Sequence, residues 1–339
     1  MKEAMQQAKI LQRLWTLYIK ECWKTGGGAY SVTSFGQKGE IRNEKNKLFI
    51  VGFITPCILA LVVMYLYPVV RTVIMSFFKI ESVTSSASEW SFNGLANYAK
   101  VFSSPTFQRA ATNILIIWLL GGIIILSFSL LFSVIITSGI RFKKFFRAAI
   151  YLPNIISAVA LATMWIQYIY NQDYGLINQI LRTMGLEGKN WLGTDMKFWA
   201  MLAAFTFGAV GYYMLIFING IEQIPSDIYE AATIDGANKV QQFGRITMPL
   251  LRGIFKTNIT FWSVNCVTFY LWSKMFSPVS TEASTITPVV YLYDTVFGTV
   301  GNVQRDAGAG ATIGVVMAIF IGIVYFIMNR LLKDDDLEY

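Results

Sequence analysis

Glu230-Ala231-Ala232-Thr233-Ile234-Asp235-Gly236-Ala237, followed by Ile246-Thr247-Met248-Pro249, place an acid among small residues in a polar interval between two long apolar segments. The chemistry open to such a set is recognition. Glu230 can accept charge-assisted hydrogen bonds from a partner's Arg or Lys, and Ala231 and Ala232 let a partner's backbone come close. A second set follows. Asn258, Trp262, Asn265 and Phe269 are spaced by four, three and four, so they share one helical face. Amides bond to hydroxyls and aromatic faces stack on C–H surfaces, a combination that suits a sugar. Tyr212 and Tyr213, beside Gly208 and Gly211, could join them. The same groups could equally hold helices together. Bond-making chemistry has little support. The chain has no histidine, and Cys22, Cys57 and Cys266 fit no metal-ligand spacing. No catalytic residue, metal ligand or cofactor is expected, and Cys57 and Cys266, in apolar segments, are expected to be free buried thiols.

These sets need elements to position them. Pro225 suits a first helical turn, and Ser226 and Asp227 favour a positive helix end. Gly236 supplies the left-handed residue that stops a helix. Asn238 can cap a second short helix through Lys239, Val240, Phe243 and Ile246, and Pro249 marks the next boundary. The interval 221–249 is therefore read as a helix–turn–helix hairpin with Glu230 and the alanines at its elbow.

The chain around it is read as an all-α membrane protein. Of its 339 residues 55% are hydrophobic and 14% charged, and mean hydropathy is +0.50. Soluble domains are nearer one-quarter charged. The net charge of +8 is explained by membrane topology, not by nucleic acid. Six spans are expected, near 48–67, 113–137, 148–170, 198–218, 257–272 and 309–332, the fifth being the shortest and most polar. Pro56 and Pro68 are expected to bend the first. Clusters of Lys and Arg at 38–47, 141–147, 239–256 and 330–333 put the hairpin and both termini in the cytoplasm. The domain from 48 to 332 is flanked by a basic tail, 1–47, and an acidic tail, 333–339. Leu11, Leu14, Trp15, Tyr18 and Cys22 in the first tail recur at helical spacing, as in an amphipathic helix on the membrane surface. Gly121-Gly122, Gly310 and Gly314 are read as helix-packing sites.

The pattern Glu230-Ala231-Ala232, Gly236, Ile246, Met248-Pro249 resembles the EAA loop of permease subunits in binding-protein-dependent type I ABC importers, with Met248 where Leu is usual. The segments Gly94-Leu95-Ala96-Asn97-Tyr98, Tyr174-Gly175-Leu176-Ile177-Asn178 and Asn190-Trp191-Leu192 are similar to outer loops of the maltose-type and glycerol-phosphate-type branch. The resemblance implies a six-span permease of a bacterial or archaeal cell membrane. Its partners would be two ATP-binding cassette ATPases, a second and paralogous permease, and an extracytoplasmic solute-binding protein. It gives Glu230, Ala231, Ala232, Asp235 and Gly236 the ATPase-coupling role. A sugar pocket would use Tyr212, Tyr213, Asn258, Trp262, Asn265 and Phe269. The sequence has no phosphate-binding Gly-rich loop of its own and no acid or base in mid-span. An ATPase-independent carrier or channel is the alternative, and an intramembrane enzyme ranks last.

Overall fold

The computed structural model describes residues 50–299 and 304–332. The tail helix expected over 11–22, the basic residues 38–47, the acidic tail and both termini lie outside them. The chain falls into two units divided after Pro68. The first contributes the start of α1 (Ile50–Met75), whose 26 residues suffice to cross a hydrocarbon layer. α1 runs helically through Pro56 and Pro68, and a widened turn, Val62–Leu66, precedes the second proline. It continues past the expected end at 67. Phe53, Val63 and Met64 are exposed on it. Cys57 is exposed with them, which corrects the buried thiol expected there.

The second unit opens with a two-residue antiparallel pairing of β1 (Phe78–Lys79) with β2 (Ser91–Phe92). α2 (Ala96–Ser103) leads into α3 (Pro105–Thr137). Ser104 caps α3 by accepting from the Phe107 N–H, with Pro105 in the first turn. α3 therefore begins earlier than the expected 113.

One straight span was expected over 148–170, but two helices stand there. α4 (Lys143–Ile155) and α5 (Ala158–Ile169) meet at a bend of 96°. Pro153 removes a helical donor in the last turn of α4, and Ile156 and Ser157 then turn away from helical ψ, to 139° and 132°. After α6 (Leu176–Thr183) comes α7 (Lys197–Glu222). α7 is apolar on all sides, and its most apolar window is 61% buried against 28% for the last helix. That places α7 in the interior. α3, α4 and two later helices, α10 and α11, pack against it.

The hairpin follows as α8 (Ser226–Ile234) and α9 (Lys239–Gln242). Then come α10 (Arg252–Val267), α11 (Leu271–Phe276), α12 (Pro288–Phe297) and α13 (Ala307–Leu331). The segment expected as span five, 257–272, is divided between α10 and α11. Its break begins at Thr268, whose hydroxyl bonds to the Val264 and Asn265 carbonyls. Among the described residues four helices are long and apolar enough to cross a membrane, and the α4–α5 pair makes a fifth if taken as one span. α10, with 16 residues, is shorter than a full crossing.

At the end of α7 away from the hairpin, buried asparagines fix the loops. Asn97 donates to the Ser76 and Phe78 carbonyls at 2.9 and 2.8 Å. Asn113 donates to the Ala283 and Ile286 carbonyls at 3.0 and 2.9 Å. Asn178 donates to the Gln172 and Lys189 carbonyls, and its oxygen accepts from the Lys189 N–H and the Trp191 indole, both at 2.9 Å. The Lys197 ammonium, 2.7 Å from both Glu282 oxygens, ties the start of α7 to the loop after α11.

Candidate functional site

The hairpin forms from local signals. Pro225 stands just ahead of α8 with ψ 135°, one place earlier than expected, and Asp227 lies in the first turn. α8 ends at Ile234. Gly236 has φ +79°, a value costly for any residue with a Cβ. Asn238 and Gln241 then cap α9 reciprocally. The Gln241 N–H donates to Asn238 Oδ1 at 2.9 Å and the Asn238 N–H donates to Gln241 Oε1 at 2.8 Å. The helical path widens through Phe243–Thr247 and closes with Met248–Leu250. The boundary expected at Pro249 is therefore corrected. Met248 keeps helical angles, and the chain leaves the helix at Leu251, because the widened turn accommodates a residue that cannot donate.

Two contacts join the arms. The Gln242 amide, 3% exposed, donates to Thr233 Oγ1 at 2.9 Å and to the Ala237 carbonyl at 3.2 Å. The Tyr229 hydroxyl meets Thr247 Oγ1 at 2.9 Å. Glu230, Ala231, Asp235 and Gly236 are exposed, and Ala232 is half-buried. Ile234 and Val240 are 86% and 78% exposed on either side of the turn. The hairpin thus offers an acid and two bare aliphatic side chains on one small projection.

A cavity of about 380 Å³ lies at the α4–α5 bend. Pro153, Asn154 and Leu161 line it from the bent pair, Phe205, Gly208, Tyr212 and Tyr213 from α7, Asn265 from α10 and Trp272 from α11. Tyr212, Tyr213 and Asn265 are therefore brought together. The Asn265 amide donates to the Tyr213 hydroxyl at 2.9 Å. Tyr212 stands edge-on to Tyr213 with ring centres 5.1 Å apart. Among the described residues the Tyr212 hydroxyl has no hydrogen-bond partner. Among the described residues no charged side chain lines the cavity.

Trp262, Asn258 and Phe269 do not line it. Trp262 is 1% exposed and donates from its indole to the Trp118 carbonyl at 2.8 Å. Its ring lies on Gly121-Gly122, and a Cβ at Gly122 would stand 2.6 Å from the indole nitrogen. Phe269 packs against Phe205, ring centres 4.8 Å apart. Asn258 is fully buried, and among the described residues neither its amide nitrogen nor its oxygen has a partner. Helical spacing grouped these four residues correctly but could not say which part of the face meets a cavity. Asn154, Phe205 and Trp272 are lining residues that sequence reasoning did not assign to the pocket. Pro153-Asn154 inside an apolar segment was the available signal, since a proline there opens a bend.

Residues 129–335 match the family model described as the binding-protein-dependent transport system inner membrane component. The arabinooligosaccharides transport system permease protein AraP of Halalkalibacterium halodurans is 32% identical over 278 residues, covering 80% of this chain and 83% of that protein. The diacetylchitobiose uptake system permease protein NgcF of Streptomyces coelicolor is 27% identical, with 72% of each chain covered. Among solved structures, a chain of a bacterial ABC transporter involved in the import of the acidic polysaccharide alginate superposes with a TM-score of 0.73. It is 18% identical, over 87% of this chain and 98% of that one, so the likeness shows the fold. A second structure of the alginate transporter, in complex with an alginate pentasaccharide-bound periplasmic protein, gives a TM-score of 0.71 at 17% identity, over 86% and 96% of the two chains. With the family model matched over more than half its length and its membrane-length helices in place, this chain belongs to the inner membrane components of binding-protein-dependent transport systems, the integral membrane permeases of ABC transporters.

Proposed function

We propose that this chain is the non-catalytic permease subunit of an ATP-driven importer that passes a neutral sugar or oligosaccharide through the cavity at the α4–α5 bend. The carrying observation is the lining of that cavity: two tyrosines, two asparagines and the rings of Phe205 and Trp272, with no charged side chain among the described residues. Hydroxyls and amides can replace the water around sugar hydroxyls, and the rings can cover C–H faces. A lining without a cation gives a uronate carboxylate no counter-charge. Relatives named for arabinooligosaccharide and diacetylchitobiose uptake support the carbohydrate reading.

In this reading an extracytoplasmic binding protein delivers the sugar, and a second, paralogous permease completes the path. Two cassette ATPases drive it from the hairpin side, in a bacterial or archaeal cell membrane, with six spans and both termini inside. Glu230, Ala231, Ala232, Asp235 and Gly236 form the ATPase contact, and the exposed Ile234 and Val240 supply apolar surface for it. Uptake of labelled neutral oligosaccharides by the reconstituted complex tests the path. Tyr212→Ala and Asn265→Leu are expected to lower uptake about tenfold, the scale of one lost hydrogen bond to substrate, while ATPase assembly persists. Undiminished uptake in both variants would remove this cavity from the path.

A further inference from the structure

The end of the connection after α3 and the first turns of α4 hold a feature that neither the cavity nor the hairpin uses. Arg141-Phe142-Lys143-Lys144-Phe145-Phe146-Arg147 interleaves four cations with three aromatic residues and contains no acid. Phe142 has φ 64°, and it is the only non-glycine residue with positive φ among the described residues. A bulky side chain in this left-handed region is strained. Burial does not compensate the strain, because Phe142 and Phe145 are 69% and 68% exposed. The Arg141 guanidinium carbon stands 5.7 Å over the Phe142 ring, and Phe145 and Phe146 pair edge-on at 5.7 Å.

Nor do the cations serve the helix they begin. Lys143 and Lys144 occupy the first turn of α4, where the helix dipole disfavours positive charge, and no acid accompanies them. Among the described residues Arg147 approaches Glu222 at 4.0 Å, whereas Arg141, Lys143 and Lys144 form no ion pair. Cations alone would suffice to orient the spans in a membrane. A strained, bare phenylalanine is not needed for that.

The segment directly follows the end of α3 and precedes the apolar turns of α4, so it sits where hydrocarbon gives way to lipid headgroups. We propose that residues 141–147 form a binding site for the headgroups of anionic phospholipids. Arg141, Lys143 and Lys144 would pair with headgroup phosphates, while Phe142, Phe145 and Phe146 enter the acyl boundary beside them. Charge complementarity selects this occupant, since Arg141, Lys143 and Lys144, three cations with no ion pair among the described residues, would attract anionic over zwitterionic lipid.

The test uses the whole complex in nanodiscs of mixed phosphatidylglycerol and phosphatidylcholine, extracted in detergent, with retained lipids quantified by mass spectrometry. Wild type is expected to retain phosphatidylglycerol in preference to phosphatidylcholine. Arg141→Gln, Lys143→Gln and Lys144→Gln are each expected to reduce that preference about fivefold, and Lys143→Arg with Lys144→Arg to keep it. Loss of cations can also disturb insertion, so Phe142→Gly provides the second arm. Glycine suits the backbone there, and this variant should assemble normally yet retain less lipid. Three results would each overturn the site: no preference in wild type, a preference unchanged in the glutamine variants, or displacement of lipid by inorganic phosphate. Loss of the ATPase from the glutamine variants with lipid retention intact would overturn it too, by pointing to an acidic protein surface.

Discussion

In α8 of the hairpin no residue is buried, and Ile234 and Val240 beside its turn are almost fully exposed. At the far end of α7, Asn97, Asn113 and Asn178 are 3%, 2% and 0% exposed, and each bonds to carbonyls of a neighbouring segment. One region leaves apolar surface in the open and the other leaves little unsatisfied. The loops at the far end are shaped by hydrogen bonds internal to the chain. The hairpin holds its shape through a cap, a glycine and a few cross-arm bonds, and it leaves Ile234 and Val240 in the open. Damage to the far-end loops should appear as lost stability, and damage to the hairpin as lost coupling.

The largest stability effect is expected inside the bundle that joins the two regions. Trp262→Ala empties the seat on Gly121-Gly122, and thermal unfolding of the detergent-purified complex should show a loss of about 3–5 kcal/mol. A much smaller shift would mean that the ring is not the packing element described. Asn178→Ala strands the carbonyls of Gln172 and Lys189 and the Trp191 indole. A loss of roughly 2–3 kcal/mol is expected by the same measurement, and no loss would remove the contrast between the two regions. Gly236→Ala puts a Cβ at φ +79°, with an expected cost near 1 kcal/mol, confined to the hairpin and visible in local hydrogen exchange. Glu230→Ala should change stability by less than about 0.5 kcal/mol, as for an exposed side chain. It should nevertheless abolish stimulation of ATP hydrolysis by binding protein and sugar. Normal stimulation in that variant would make the hairpin a passive connector.

The parts that were legible in the sequence are those governed by near neighbours along the chain. The left-handed Gly236 and the Asn238 cap need only a few residues to be specified, and both stand where the residue types place them. The apolar segments were legible because length and composition decide them. The short motifs around Asn97 and Asn178 appeared as similarities to outer loops, and the structure gives them a physical role as clamps. The cavity was only half legible. Tyr212, Tyr213 and Asn265 line it, but the inward setting of Trp262 depends on a glycine pair some 140 residues earlier, a long-range fact that helical periodicity does not carry. The bend that makes room for the cavity was hidden inside one apolar run, where hydropathy does not distinguish a straight helix from a broken one.

Widened turns at Val62–Leu66, Ile117–Gly121, Trp165–Ile169 and Phe243–Thr247 interrupt four of the helical segments. Each amounts to one residue beyond the regular helix, and an α-helix turns about 100° per residue. The turn at Ile117–Gly121 therefore acts as an index mark. It sets the rotation at which Gly122 meets Trp262 and the Ser129 hydroxyl reaches the Val210 carbonyl at 2.8 Å. Inserting one further residue beside Leu119, with no second widening to absorb it, would leave composition and hydropathy almost untouched, yet would swing the rest of α3 by more than a quarter of a revolution. In this helix the number of residues is as much a part of the design as their identity, and a one-residue insertion is a larger change than most substitutions.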